Sequence, residues 1–219
     1  MSLVKFVLLY RAVFLHRPCS LPHGSLRTMR LKILPATSEH WPALEDLFGK
    51  CGASNGCWCM YWRLGPAYRG HGERNRLALR DLVESGCPCG LLAFHGDVAV
   101  GWCQLTPRAA LPYLERAPLL KRVDDLPVWS ISCFYVRKGY RHMGVASALV
   151  AAAVREARRA KAPAVEAYPS DPRKTQNVYT GTLALFLGAG FEIAARRAGP
   201  RSIARLELTP RREPRRVRR

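Results

Sequence analysis

The segment that most constrains the fold runs from residue 128 to residue 160. Residues 128–136 are apolar at both alternating sets of positions, which is typical of a strand buried on both faces in the middle of a sheet. A turn with two glycines follows, and then an alanine-rich stretch whose apolar residues recur every three to four positions. We therefore predict a central strand, a tight turn and an amphipathic helix over 145–160 within an α/β domain.

The turn between this strand and this helix contains the residues with the clearest ligand-binding pattern. It reads RHMGVA from Arg141 to Ala146. Gly144 has no side chain, so backbone N–H groups at the start of the helix can approach an anion closely, and the helix dipole adds partial positive charge there. Lys138 and Arg141 add full charges. The pattern predicts a diphosphate cradle that needs no metal; the alternative is a plain strand-to-helix turn that requires one glycine.

Apolar patterns elsewhere alternate between the periods of strands and helices. An amphipathic helix begins near Ser38, which we interpret as its N-cap. A connection of three residues between the second and third strands predicts an antiparallel hairpin. The other predicted strands cover 30–34, 91–94, 98–105, 164–168, 191–195 and 203–208, and the other predicted helices cover 73–85 and 180–187.

The chain is strongly basic. Lys and Arg number 35 against 16 Asp and Glu, a formal net charge of +19, which calls for an acidic partner such as nucleic acid, anionic lipid or a phosphorylated ligand. More than half of the excess lies in residues 1–29 and 196–219. We predict a domain over 29–208, starting at the second methionine, preceded by an extension over 1–28 that is disordered or not native, and followed by an arginine-rich tail over 209–219.

Eight cysteines are spread along the chain without the density of a small secreted scaffold, which favours reduced thiols and a cytoplasmic location. Two Cys-x-Cys motifs, Cys57 with Cys59 and Cys87 with Cys89, could supply four thiolates to a zinc ion. Structural zinc sites favour two residues between the cysteines, so we interpret these as free thiols and predict no metal.

Three other patterns lack their chemical context. Residues 139–144 have the glycine spacing of a P-loop, but no Lys and Ser/Thr follow to hold phosphates and magnesium. Ser54 lies in a G-x-S-x-G motif without a strand before it and a helix after it, so we interpret it as part of a flexible turn. The apolar stretch 4–15 contains Lys5 and Arg11 and has no cleavage signal, so we predict no membrane partner.

The sequence resembles the GNAT superfamily of N-acetyltransferases, whose signature is R/Q-x-x-G-x-G/A between the fourth strand and the following helix. Here RHMGVA follows the strand SISCFYV, and Gly190-Phe191 opens the sixth strand. The resemblance extends from about residue 30 to residue 208. It implies a mixed, mostly antiparallel sheet of about six to seven strands, with splayed fourth and fifth strands and about four flanking helices.

The same resemblance implies acetyl-CoA as co-substrate. By position, the residues that would bind it are Phe134, Tyr135, Val136, Arg141, His142, Met143, Gly144, Val145 and Ala146. The first three would pair with the pantetheine arm through their backbone, with a main-chain N–H near Phe134 polarising the thioester carbonyl, and the other six would hold the diphosphate. The amine of a small-molecule or peptide acceptor would attack the thioester of acetyl-CoA directly, within a ternary complex.

The proton-transfer groups are less clearly indicated. Glu166 on the fifth strand is the nearest carboxylate for accepting a proton from the amine, unless it is solvated or ion-paired. The family usually has a tyrosine as general acid where this chain has Phe186. Either the thiolate leaves unassisted, which we rank first, or a neighbour such as Tyr179 substitutes, or the protein binds acetyl-CoA without efficient turnover.

An aromatic segment lies in the region that lines the acceptor side in such enzymes. Trp58, Tyr61 and Trp62 could form a wall for the acceptor, or they could pack in the core.

We thus expect an acetyltransferase that uses acetyl-CoA. The alternatives are a basic nucleic-acid-binding protein and a non-catalytic acyl-CoA-binding module. Nucleic acid would bind only through the arginine-rich tail. The sequence does not decide whether the protein forms a homodimer.

Overall fold

Seven strands form one sheet in the order β1-β2-β3-β4-β5-β7-β6 in the computed structural model, which describes residues 29–171 and 178–209. The predicted extension 1–28 and residues 210–219 of the predicted tail lie outside the described residues. All neighbouring strands are antiparallel except β4 and β5, which confirms the mixed, mostly antiparallel sheet. The strands are β1 (Lys32–Pro35), β2 (Leu91–His95), β3 (Val98–Pro107), β4 (Trp129–Val136), β5 (Ala164–Ala167), β6 (Glu192–Arg196) and β7 (Ser202–Glu207).

The described residues include six α-helices, two of them single turns of four residues. They are α1 (Trp41–Phe48), α2 (Tyr61–Leu64), α3 (Gly72–Glu84), α4 (Pro112–Glu115), α5 (Val145–Arg159) and α6 (Leu183–Leu187). Helix α5 buries Val145, Leu149 and Ala153 and exposes Arg155 and Arg158, as its apolar spacing predicts.

Two helix starts differ from the predictions. Ser38 does not cap α1: residues Ser38–His40 form a 3-10 turn, and α1 begins only at Trp41, with a proline in its first turn. Helix α6 begins at Leu183 rather than near residue 180, because the Thr182 hydroxyl accepts a hydrogen bond from the Leu185 N–H at 3.4 Å and so marks the helix start.

The sheet has an apolar core on each face. One core packs α5 against β3, β4 and β5, and here the chain requires a glycine: a Cβ on Gly101 would lie 2.6 Å from Val145 Cγ1. The other core packs α1 and α3 on the opposite face. A third, smaller cluster joins Trp62 of α2 to Leu114 of α4 and to Tyr168, just after β5. This third cluster lies beside the point where β4 and β5 separate.

Strands β4 and β5 separate as the family resemblance predicts. They share only three residue pairs, from Trp129–Val165 to Ile131–Ala167. Strand β5 then ends, whereas β4 continues to Val136 and stays paired with β3 on its other edge. A register shift in the β3–β4 pairing lies at the same level, between Gln104 and Leu105. Splayed strands are therefore confirmed, and the second half of β4 has an edge that β5 does not cover.

Candidate active site

The uncovered edge of β4 is the first component of the site. Among the three predicted arm-binding residues, Phe134 is buried, while Tyr135 and Val136 are half-buried. The Phe134 N–H faces the gap and donates a hydrogen bond to the Tyr179 carbonyl at 2.6 Å. The amide that the resemblance assigns to the thioester carbonyl is therefore engaged by the segment that follows the undescribed residues 172–177.

The turn before α5 is the second component. His142 and Gly144 both have left-handed backbones, with φ of 62° and 80°. Arg141, His142, Met143 and Gly144 are exposed, and the chain enters α5 at Val145. The Arg141 Nε donates to the Val136 carbonyl at 3.2 Å, which ties this arginine to the end of β4.

These features fit a diphosphate. The first N–H groups of a helix have no partner within the helix, and α5 is fifteen residues long, so its dipole is well developed. A Cβ on Gly144 would meet no atom within 4 Å, so the glycine is required by its φ rather than by crowding. Arg141 to Gly144 are exposed, so the turn is accessible from solvent on this side.

Glu166 lies in a closed ionic cluster. It is only 1% exposed, and both carboxylate oxygens accept hydrogen bonds: Oε2 from Arg108 Nη1 at 2.8 Å, and Oε1 from Arg205 Nη2 at 2.7 Å. The Tyr168 hydroxyl donates to Oε2 at 3.1 Å and is also hydrogen-bonded to the Ser130 hydroxyl at 2.8 Å. With these donors in place, no oxygen of Glu166 is free to take a proton from an amine.

The two arginines of this cluster have further carboxylate partners. Arg108 Nε donates to Glu115 at 2.9 Å, and Arg205 forms two hydrogen bonds with Asp124 at 2.5 and 3.1 Å. Burial and the nearby charge of Glu166 raise the pKa of Tyr168 far above its usual value, so this hydroxyl stays protonated. The inner part of the cluster, Glu166 with Arg108 and Arg205, is thus closed to solvent, whereas the outer carboxylates Glu115 and Asp124 are partly exposed.

Phe186 and Tyr179 occupy different environments. Phe186 is fully buried, with its ring centroid 5.3 Å from that of Phe191 and 6.1 Å from that of Phe134. Tyr179 precedes α6 and is 39% exposed. Burial raises the pKa of its hydroxyl, and the positive charge of Arg201 opposes that rise in part.

The two tryptophans of the aromatic segment are buried in two different apolar clusters. Trp58 is a core residue, 4% exposed and stacked on Trp41, so the core-packing alternative is correct for it. Trp62 is also buried, and its Nε1 donates to the Ser132 carbonyl at 3.0 Å, on the separating part of β4. Tyr61 is half-buried and makes edge-to-face contacts with Trp62 and Tyr113.

Arg201 is the site residue that sequence reasoning missed. It lies in the link between β6 and β7, with its guanidinium carbon 5.6 Å from the centroid of the Trp62 ring. Its charge affects the pKa of both Tyr61 and Tyr179. The basic segment after residue 196 offered a weak signal, but in that context Arg201 was not distinguishable from its neighbours.

The cysteines form a thiol pair rather than the four-cysteine set considered from sequence. The Cys59 and Cys133 sulfurs are 3.5 Å apart, and Trp102 Nε1 donates to Cys59 Sγ at 3.1 Å. Within residues 29–171 and 178–209, no three His, Cys, Asp or Glu side chains are grouped to hold a metal ion. In the same part of the chain, no helix combines the length and apolar character needed to cross a membrane.

Solved structures with the same fold include several acetyltransferases. The PaiA N-acetyltransferase of Thermoplasma acidophilum, solved with coenzyme A, is 12% identical with a TM-score of 0.50, covering 82% of this chain and 99% of its own. A Salmonella typhimurium protein solved with acetyl-CoA is 15% identical with a TM-score of 0.52, covering 84% and 97%. An N-acetyltransferase of Staphylococcus aureus Mu50 is 15% identical with a TM-score of 0.50, covering 82% and 99%. At these identities the similarity establishes the fold.

Sequence comparison gives the family directly. A search of curated proteins finds no significant match. Residues 55–180 match the Acetyltransferase (GNAT) family, and this segment contains the splayed half of β4, the glycine turn and α5. Because the match spans more than half of the chain and the sheet has the splayed strands that the resemblance implied, the protein belongs to the GNAT acetyltransferase family.

Proposed function

We propose that this protein transfers an acetyl group from acetyl-CoA to a primary amine, by direct attack within a ternary complex. The observation that carries the proposal is the continuity of the uncovered β4 edge with the exposed turn Arg141–Gly144 and the first residues of α5. This continuous path offers backbone donors for an extended arm and then a positive helix start for a diphosphate. The coenzyme A and acetyl-CoA complexes of the structural neighbours support the same ligand.

The turn and the strand have different tasks in this proposal. Backbone N–H groups from Met143 to Ala146, with the side chain of Arg141, would bind the diphosphate. The backbone of Phe134 to Val136 would align the arm along β4. Alignment places the thioester beside the bound amine, and this positioning accounts for much of the expected rate acceleration.

The Phe134 N–H would donate to the thioester carbonyl as negative charge develops on its oxygen. In the structure this N–H already donates to the Tyr179 carbonyl, so the two must separate before the amide can serve. Gly181, at φ 78°, lies two residues after Tyr179 and provides a position at which the segment can change direction. We propose that binding of the arm exchanges one acceptor of this amide for the other.

Proton transfer in this site relies little on side chains. The closed ion pairs of Glu166 support a structural role for it, so we propose that water takes the proton released by the amine. The thiol of CoA is acidic enough for its thiolate to leave unassisted. Tyr179 is the alternative acid, because its hydroxyl stays protonated near neutral pH.

The test uses the full chain. Calorimetry should show binding of acetyl-CoA, and thiol release with a panel of primary amines should show turnover with intersecting initial-rate lines, as a ternary complex requires. Parallel lines would contradict direct attack. Binding without thiol release for any amine would favour the acyl-CoA-binding module, and binding to duplex DNA with a steep salt dependence but no affinity for acetyl-CoA would favour the nucleic-acid-binding alternative.

The free thiols support a location for this activity. The seven described cysteines are unbridged, including the closely spaced Cys59 and Cys133. Such a pair persists as thiols in a reducing compartment, so we propose that the protein works in the cytoplasm.

A further inference from the structure

Three arginines lie around β5 and β7, and they differ in how their charge is balanced. Arg108 and Arg205 are nearly fully buried, and each pairs with Glu166 and with a second carboxylate. Arg201 is half-buried, and among the described residues no carboxylate forms an ion pair with it. Its Nε is buried and has no hydrogen-bond partner. An unpartnered buried N–H costs free energy, and an anionic ligand that accepts from this guanidinium would recover it.

The undescribed segments offer little that could supply that anion. Residues 172–177 read PRKTQN and contain no acidic side chain. Residues 1–28 contain none either, and residues 210–219 contain a single glutamate among six basic residues and three other residues.

The surroundings of Arg201 suit a small anionic ligand. Arg201 borders a cleft of about 480 Å³ that is also lined by Arg196, Arg197 and one carboxylate, Asp171, so the charged side chains of its lining are net positive. Its guanidinium carbon lies over the Trp62 ring, 5.6 Å from the ring centroid, and Trp62 is itself fixed by its hydrogen bond to the Ser132 carbonyl. A guanidinium held in this way presents a planar set of donors that matches a carboxylate or a phosphate.

One residue connects this cation to the proposed reaction centre. The Tyr179 carbonyl accepts the hydrogen bond from the Phe134 N–H, and the Tyr179 hydroxyl interacts with Arg201. The two points are therefore separated by about the length of one tyrosine residue. A single small molecule, or one end of a peptide, can reach both.

We propose that the acceptor is a primary amine that also carries an anionic group, and that Arg201 binds this group while the amine lies toward the Phe134 amide. The inference rests on the proposed acetyl transfer and specifies its substrate class. Tyr61 and Tyr113, beside Trp62, form an aromatic surface along which the body of the acceptor lies. Polyamines and other purely cationic amines are disfavoured next to Arg196 and Arg201.

The first experiment measures binding without chemistry. In the presence of CoA, calorimetry compares N-acetylphenylalanine and N-acetylglycine with their carboxamides, and O-phosphoethanolamine with ethanolamine. We expect each ligand with an anionic group to bind at least about tenfold more tightly than the partner that lacks this group, which corresponds to about 1.4 kcal/mol. The pairs that show the difference separate carboxylate from phosphate acceptors. Equal binding within all pairs would overturn the inference.

Variants test whether the preference for ligands with an anionic group depends on one side chain. Arg201→Gln should abolish it, Arg201→Lys should retain part of it, and Arg155→Gln, which removes one charge from the exposed face of α5, should leave it intact. A preference that survives Arg201→Gln would overturn the role of this residue. The affinity for acetyl-CoA is measured in parallel: its absence in the unaltered protein contradicts the proposed function, whereas an unchanged value in all variants assigns any loss to the acceptor side.

Discussion

The two halves of β4 differ in their surroundings: one half pairs with β5 beside a closed ionic cluster, and the other half, which we propose binds acetyl-CoA, has an edge that β5 leaves uncovered. From Trp129 to Ile131 the strand pairs with β5, beside the cluster in which Glu166 forms ion pairs with two buried arginines. From Ser132 to Val136 it has no β5 partner, and the nearby groups are the Tyr179 carbonyl and the Arg201 guanidinium.

The halves differ in whether the hydrogen-bond donors and charges beside them have partners within the chain. In the paired half, donors and acceptors are matched within the chain, so these groups contribute to folding and are inaccessible to a substrate. Beside the unpaired half, the Phe134 N–H donates a single hydrogen bond to the Tyr179 carbonyl, and the Arg201 Nε has no hydrogen-bond partner within the residues that the structure describes. These are the groups that we propose meet the ligands, so the proposed function lies where the sheet is incomplete.

The largest effect, on the free energy of unfolding, should follow from removing the ion pairs beside the paired half of β4. Glu166→Gln removes the charge shared by Arg108 and Arg205, and the free energy of unfolding should fall by about 3 kcal/mol, because two buried guanidiniums lose a common partner. Urea unfolding followed by circular dichroism measures this. Glu156→Gln, which removes an exposed pair with Arg159, should change stability by less than about 0.5 kcal/mol. A fully stable Glu166→Gln protein without turnover would instead make Glu166 the general base.

A smaller effect is expected in the turn that follows the unpaired half of β4. Gly144→Ala places a Cβ on a residue with φ of 80°, which should cost about 1–2 kcal/mol of stability or shift the turn. A shifted turn would misalign the first N–H groups of α5, so affinity for acetyl-CoA should fall about tenfold in calorimetry. Gly139→Ala, in the same loop but without a left-handed φ, should change neither property. An unaltered affinity in Gly144→Ala would remove the turn from the binding site.

The smallest effect should come from the Tyr179 hydroxyl. Tyr179→Phe keeps the backbone carbonyl that Phe134 contacts, and thiol release should decrease less than about threefold if the thiolate leaves unassisted. Because the pKa of this hydroxyl is raised from a value already near 10, it keeps its proton between pH 6 and 9, and no titration of it should appear in the rate over that range. A hundredfold decrease with unchanged acetyl-CoA affinity would identify Tyr179 as the general acid.

The predictions that depended on local patterns agree best with the structure. The predicted strand 128–136 and helix 145–160 agree with the observed bounds to within two residues. Burial on both faces and an amphipathic period can both be recognised within one continuous segment. The start of α1 was wrong, since a serine before a helix does not by itself tell an N-cap from a 3-10 turn. Trp58 and Trp62 are four residues apart, and nothing in that spacing indicates that they pack in two different apolar clusters.

The sequence alone determined the family, the central strand, the glycine turn and the residues proposed to bind acetyl-CoA, because these form one continuous segment whose chemistry depends on local backbone geometry. Only the tertiary structure decided the roles of side chains that act through distant partners. Glu166 is enclosed because Arg108 and Arg205 converge on it from other strands and loops. Arg201 stands out because, within the described part of the chain, no carboxylate pairs with it, and the Phe134 N–H has an acceptor because the chain returns to the gap with the Tyr179 carbonyl. Such convergence depends on contacts between residues far apart in the chain, which no local pattern encodes.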